Sequence, residues 1–228
     1  MNLNFPTLQP AAPASALVET AFNFVQTALK DAEGGHDWFH ALRVYQNATY
    51  IGGREGGDLE VVQLTALLHD IGDSKFHHGD EQIGPAKIGA FLEEQNARPE
   101  LKLAVLESCE RMSFRKNLEQ RQELSLEGAI VQDADRLDAI GAIGIGRAFH
   151  FGGHKNRLLF DPAVPPNLQM STETYKKKDG PTINHFFEKL LLLKDQMNTP
   201  TGKELAEQRH RFMESFLSQF FNEWNGTI

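Results

Sequence analysis

The sequence predicts an all-α fold, on three observations. Strand signals are sparse, apolar positions repeat at helical spacing along most of the chain, and glycine or proline breaks separate the repeats. No run of alternating β-branched residues bounded by hairpin turns occurs in the 228 residues. Between Ala14 and about Ala32, Leu17, Ala21, Val25 and Leu29 recur at every fourth position and mark a first helix. Gly34-Gly35 precedes a second, with Asp37 placed where a carboxylate suits the unpaired amides and the positive end of the helix dipole. Trp38, Leu42, Tyr45 and Thr49 line one face of it, and His40, Arg43 and Asn47 another. Gly52-Gly53 and Gly56-Gly57 break the chain, and Asp58 opens a third helix.

That third helix is apolar nearly all round: Leu59, Val61, Val62, Leu64, Ala66, Leu67 and Leu68. Such a helix is buried on most sides. It ends in His69-Asp70-Ile71-Gly72, so two strongly polar side chains close a core helix, where burial without a partner is costly. Further helices are expected at about 80–97, 99–113, 125–150, 181–196 and 200–225. Thr201 and Glu204 form a capping-box pattern at the start of the last one. Phe212, Phe216, Phe220 and Trp224 form its apolar stripe, expected in the core. The stretch 152–180 holds Pro162, Pro165 and Pro166, lacks a clear period and ends in Lys176-Lys177-Lys178-Asp179-Gly180, as functional loops often do.

A chain of this length supports one sizeable core, and one domain is expected over residues 14–228, after a flexible leader at 1–13. A formal net charge of -8 disfavours a nucleic-acid polymer or a membrane surface as partner. It is compatible with a small phosphate ester. No apolar run approaches the roughly 20 residues of a membrane span. The single cysteine, Cys109, excludes an internal disulfide, and a cytoplasmic location is expected. A homodimer is compatible with the sequence but not demanded by it.

Four potential ligands fall in three separate helices: His40, His69-Asp70 and Asp135. Two imidazoles and two carboxylates suit one divalent ion of intermediate hardness, and leave positions open for water or phosphate oxygen. Mn is expected first, with Fe, Co, Ni, Mg or Zn as alternatives. Helices converging in a bundle can supply such ligands from their inward faces. Asp135 has rivals in Asp133 and Asp138; it lies beside the buried face set by Ile130, Val131, Ala134, Leu137 and Ile140.

Context sharpens the spacing. The segments His40-Ala41-Leu42-Arg43-Val44, Leu67-Leu68-His69-Asp70-Ile71-Gly72 and Asp133-Ala134-Asp135-Arg136-Leu137-Asp138 resemble the HD-domain metal-dependent phosphohydrolase superfamily. One subgroup is resembled more strongly, at Gly35-His36-Asp37-Trp38-Phe39-His40, at Gln132 to Ala142, and around Asn184-His185-Phe186-Phe187-Glu188-Lys189-Leu190. The resemblance implies a single-domain HD-type helical bundle with an irregular loop near 152–180. It also implies the metal ligands His40, His69, Asp70 and Asp135. The family pattern puts the ligand directly before the hydrophobic–cation unit, hence His40 rather than His36.

The subgroup includes relatives similar to nucleoside triphosphate pyrophosphohydrolases, which implies a nucleotide substrate, (d)NTP cleaved to (d)NMP and pyrophosphate. A nucleotide phosphatase, a phosphodiesterase and a non-catalytic nucleotide-sensing module are the alternatives; four intact ligand positions argue against the last. Asp73, just past the helix end, is expected to handle the proton. Lys75, Arg43, Arg136 and Lys176 are available to offset charge on phosphate, and His36 to contact substrate.

Overall fold

The structure is a computed structural model and describes residues 9–30, 32, 35–72, 82–112, 123–168 and 180–227. Among the described residues every regular element is a helix, nine of them α. They are α1 (Ala16–Ala28), α2 (Trp38–Glu55), α3 (Leu59–Leu68), α4 (Ile83–Glu94), α5 (Pro99–Arg111), α6 (Leu126–Asp138), α7 (Gly141–His154), α8 (Asn184–Glu188) and α9 (Pro200–Trp224). A 3-10 helix, Leu190–Gln196, follows α8.

The helix starts follow local chemistry. Ser15, Asp37, Asp58, Ser125 and Thr199 each sit in extended backbone and accept an otherwise unpaired amide at the head of α1, α2, α3, α6 and α9. Asp37 and Asp58 are caps expected from the sequence. At α9 the cap falls two residues before the expected Thr201. Pro200 takes the first helical position, where a missing N–H costs nothing, and the Thr201 amide goes to Glu55 Oε1 at 2.8 Å.

Helix α3 is the centre of the bundle: every residue from Val61 to Leu68 is buried. It packs against α1, α2, α5 and α6, and α2 lies against α3 and α6. Helix α9 covers α2, α6, α7 and the 3-10 helix. The three helices that carry the histidine and aspartate motifs, α2, α3 and α6, are thus mutual neighbours.

Three expectations change. The helix expected at 125–150 is two, because the backbone turns extended at Ile140 (φ -125°, ψ 170°) and Gly141, which opens α7, takes φ +73°, a conformation that a side chain would resist. A Cβ there would also press on the Arg209 stem at 3.0 Å. The buried stripe of α9 is Ala206, His210, Met213 and Leu217, whereas Phe212 and Trp224 are about half exposed. The intervening Phe216 and Phe220 are partly buried and pack against the core as expected, through a ring cluster with Phe149, Phe160 and the buried Phe186. The irregular loop begins later than expected, since α7 runs to His154; residues 155–168 carry no helix and 169–179 lie outside the described residues. The loop is stitched down where Thr182 and Ile183 donate to the carbonyls of Leu158 and Leu159, and where Asn184 Nδ2 donates to Val164.

The end of the expected leader is tied to the bundle: Tyr45 and Gln63 donate to the carbonyls of Ala11 and Ala12, and the Ala14 amide donates to Gln63. No described helix is long and apolar enough to cross a membrane.

Candidate metal centre

His40 lies in the first turn of α2, its position fixed by the Asp37 cap that accepts its amide at 2.9 Å. The side chain is 1% exposed. Its Nδ1 stands 2.7 Å from Asp138 Oδ2, and a carboxylate there requires the ring proton on Nδ1. His69 closes α3, and its Nδ1 folds back to the Ala66 carbonyl at 2.8 Å. A carbonyl only accepts, so this ring too carries its proton on Nδ1. In its neutral form each ring therefore presents a bare Nε2, and both Nε2 atoms are buried without a hydrogen-bond partner. Two orphaned acceptors in one core are costly unless something electrophilic sits between them.

The carboxylates complete the set. Asp70 Oδ2 lies 3.3 Å from His40 Nε2, and Asp70 Oδ1 lies 3.5 Å from His69 Nε2. Asp135 Oδ1, one turn before Asp138 on α6, is 3.5 Å from His40 Nε2. Two donors each about 2.1 Å from a shared ion stand roughly 3.0 Å apart at a right angle and 3.4 Å at a tetrahedral one. These separations fit the edges of a coordination shell. His40, His69 and Asp135 have ligand atoms within 4.8 Å of one another, as do His36, His40 and Asp70. The cluster has a buried floor and an open side, since Asp135 is 43% exposed.

Electrostatics favour a cation at this point. Burial works against charge on His40, but the hydrogen bond to Asp138 and the carboxylates of Asp70 and Asp135 outweigh it and push its pKa up to about 9. Burial likewise opposes ionisation of Asp70, yet the adjacent His69, His36 and His40 hold it well below the usual carboxylate range. Asp138 is also held low, against its burial, by His40, Arg43 and Arg147. The two guanidiniums answer the Asp138 charge, while Asp70 and Asp135 face imidazoles. That pair of carboxylates matches a divalent ion. The donor set fits one.

The remaining expected site residues fall differently. His36 donates Nδ1–H to Asp70 Oδ2 at 2.8 Å, so it joins the cluster through a carboxylate. Arg43 gives Nε and an Nη to the two oxygens of Asp138 at 2.6 and 3.0 Å. Arg136 turns toward the 196–199 segment, donating to the Gln196 carbonyl at 2.5 Å. Asp73, Lys75 and Lys176 lie outside the described residues. The sequence offers Asp138 only as a rival of Asp135, and its one-turn spacing from Asp135 is the signal of its part in the site. Arg147 is missed entirely, because nothing in its local pattern on α7 marks it.

A helical bundle that presents this donor set at one end of its central helix is the scaffold of a metal-dependent hydrolase. The chain belongs to the HD domain family, whose profile matches residues 38–140. It is 42% identical to Bacillus subtilis YpgQ over 197 residues, 86% of this chain and 88% of YpgQ. The crystal structure of a Lactobacillus plantarum protein superposes with a TM-score of 0.80 at 37% identity, covering 94% of this chain and 100% of that one. An HD-superfamily hydrolase from Bacillus thuringiensis superposes with a TM-score of 0.74 at 41% identity, covering 91% and 96%. The complex of B. subtilis YpgQ with ADP superposes with a TM-score of 0.71 at 36% identity, covering 91% and 95%.

Proposed function

We propose that His40, His69, Asp70 and Asp135 hold one divalent ion, Mn in the first instance, and that the protein hydrolyses a nucleotide, (d)NTP to (d)NMP and pyrophosphate. The observation that carries the metal assignment is the pair of orphaned Nε2 atoms facing the carboxylates of Asp70 and Asp135. The nucleotide assignment leans on the similarity to YpgQ, which has been crystallised with ADP. When bound, such an ion supplies Lewis acidity and an acidified water at the phosphate.

The chain's own residues do the rest. Asp138 keeps His40 in the tautomer that points a lone pair inward, and the Ala66 carbonyl does the same for His69. The exposed side at Asp135 is the approach for a phosphate chain. His36, beside Asp70, is placed to meet that chain as it enters. Asp73, following Gly72 directly in sequence, is the proposed proton-transfer group, with Lys75 and Lys176 offered to phosphate charge.

The test is metal analysis of the purified protein, then Mn-supplemented hydrolysis of a nucleotide panel with phosphate and pyrophosphate detected separately. Pyrophosphate with a monophosphate product, lost in Asp70→Ala, is the expected result. Inorganic phosphate alone would replace the pyrophosphohydrolase with a phosphatase.

A further inference from the structure

Arg147 sits on α7, beyond the residues that the family profile matches. Its guanidinium serves two parts of the site at once. Nη1 donates to Asp138 Oδ2 at 2.6 Å and to the Asp138 carbonyl at 3.1 Å. Nη2 donates to the Gly35 carbonyl at 2.6 Å. Gly35 has φ +117° and directly precedes His36, so its carbonyl direction sets the path of the chain into that histidine.

Each arm ends on a histidine of the cluster. Through Asp138 Oδ2 the first reaches His40 Nδ1, and through Gly35 the second reaches His36, whose Nδ1 holds Asp70 Oδ2. The contact to the Asp138 carbonyl also places a cation at the C-terminal end of α6, where the helix dipole favours it. Arg43 cannot replace this connection. It lies on α2 with His40 and joins only α2 to α6.

We infer that Arg147 is a positioning residue for the metal centre, fixing the orientations of His40 and, through the Gly35 carbonyl, of His36 against Asp70. The inference rests on the proposed reading of His40, His69, Asp70 and Asp135 as one ligand set. A planar fork with separated donors is needed to reach two acceptors on different segments; a lysine ammonium at the same place is a single point. Groups that orient ligands in this way change metal affinity by about 10- to 100-fold when removed.

The experiment is Mn(II) titration of the full chain, read by the electron paramagnetic resonance signal of free Mn(II), together with the visible spectrum of the Co(II)-loaded protein and a melting curve. His69→Ala is the reference. Arg147→Gln is expected to weaken Mn(II) binding by about 10- to 100-fold and to alter the Co(II) bands. Arg147→Lys is expected to remain weaker than wild type by several-fold, with a melting curve near that of wild type, and it decides the matter if the glutamine variant does not fold. Wild-type affinity with an unchanged Co(II) spectrum in whichever folded variant is tested overturns the inference. If His69→Ala itself keeps wild-type Mn(II) affinity, the ligand reading fails instead, and the two failures are thereby distinct.

Discussion

Asp133 and Asp138 lie five residues apart on α6, both buried, and the helix points them at two different regions. Asp133 accepts the backbone amides of Asn198 and Thr199, the Asn198 side-chain amide and the Thr199 hydroxyl, all at 2.8 to 2.9 Å. Those donors are neutral, Arg136 Nη1 stands 4.0 Å from Oδ1, and the carboxylate closes the turn into α9. Burial pushes its pKa up, and these donors only partly pull it back. Asp138 meets two guanidiniums and an imidazole, and it is held ionised. The difference teaches how to read buried acids in this protein. A carboxylate hydrogen-bonded by neutral groups, with a guanidinium only at 4.0 Å, fastens chain to chain; one hydrogen-bonded by cations maintains a field at a site.

The largest effects belong to the ligands proper. Asp70→Ala or His69→Ala should remove bound metal and abolish turnover, as metal analysis and nucleotide hydrolysis would show. Full activity in either variant sinks the metal assignment. The next effect separates the two acids of α6. Asp138→Asn should weaken Mn(II) binding by about 10- to 100-fold, because His40 loses the carboxylate that fixes its ring. Asp133→Asn should leave the metal affinity alone and cost about 1–3 kcal/mol of stability, since its new amide donors would face buried donors. Equal losses of metal affinity in both variants would erase the distinction.

The legible parts of this molecule are those that local chemistry decides. Asp37 and Asp58 were readable as caps because a cap needs only its own next three residues. His69-Asp70 was readable as a site because a polar pair ending an apolar helix has no cheap structural use. The acids of α6 were ambiguous because their partners arrive from elsewhere. The donors to Asp133 come from 65 and 66 residues further along the chain, and Arg147 reaches Gly35 across 112. The α6–α7 break was hidden because isolated glycines within a helical pattern are usually tolerated, and nothing local marks Ile140 as extended or Gly141 as left-handed. The aromatic stripe of α9 was assigned to the core by hydrophobicity. Packing buries the smaller face, with Ala206, Met213 and Leu217, most deeply, keeps Phe216 and Phe220 partly buried against the core, and leaves Phe212 and Trp224 half exposed.

A pH effect sharpens the comparison further, because it comes from the cationic network alone. In the metal-free protein His40 is raised from 6.5 to about 9 by Asp138, Asp70 and Asp135, against its burial, with His36 and His69 as the other titratable groups nearby. A raised histidine pKa gives stability that is fully present below about pH 6.5 and is lost as pH rises through 9. Metal-free protein should therefore lose a few kcal/mol between those values. Asp138 has the opposite sign: its depressed pKa gives stability present above its unfolded value of 3.8, lost only as pH falls below that. Melting curves of apo-protein from pH 6 to 9.5 test the first claim. A flat stability profile across that range would count against it, and saturating Mn(II) should reverse the slope, since the ion replaces the Nε2 proton and binds better as pH rises.

The smallest effect expected lies at the far end of the Asp133 region. Thr199 is buried, caps α9 by accepting the Gly202 amide at 2.9 Å, and donates its hydroxyl to Asp133 at 2.8 Å. Thr199→Ala removes a cap and one of four donors, for a loss of about 1–2 kcal/mol. Gly202 shows how tightly this turn is filled, because a Cβ there would overlap the Asp133 carboxylate. Since Asp133 and Asp138 sit on one rigid helix, a loosened α9 turn tests whether the helix carries disturbance from one acid to the other. The expected result is a lower melting temperature with wild-type Mn(II) affinity. A matching fall in affinity would mean that Asp133 and its donors help to hold Asp135 and Asp138 in place, and that the two regions of α6 act as one.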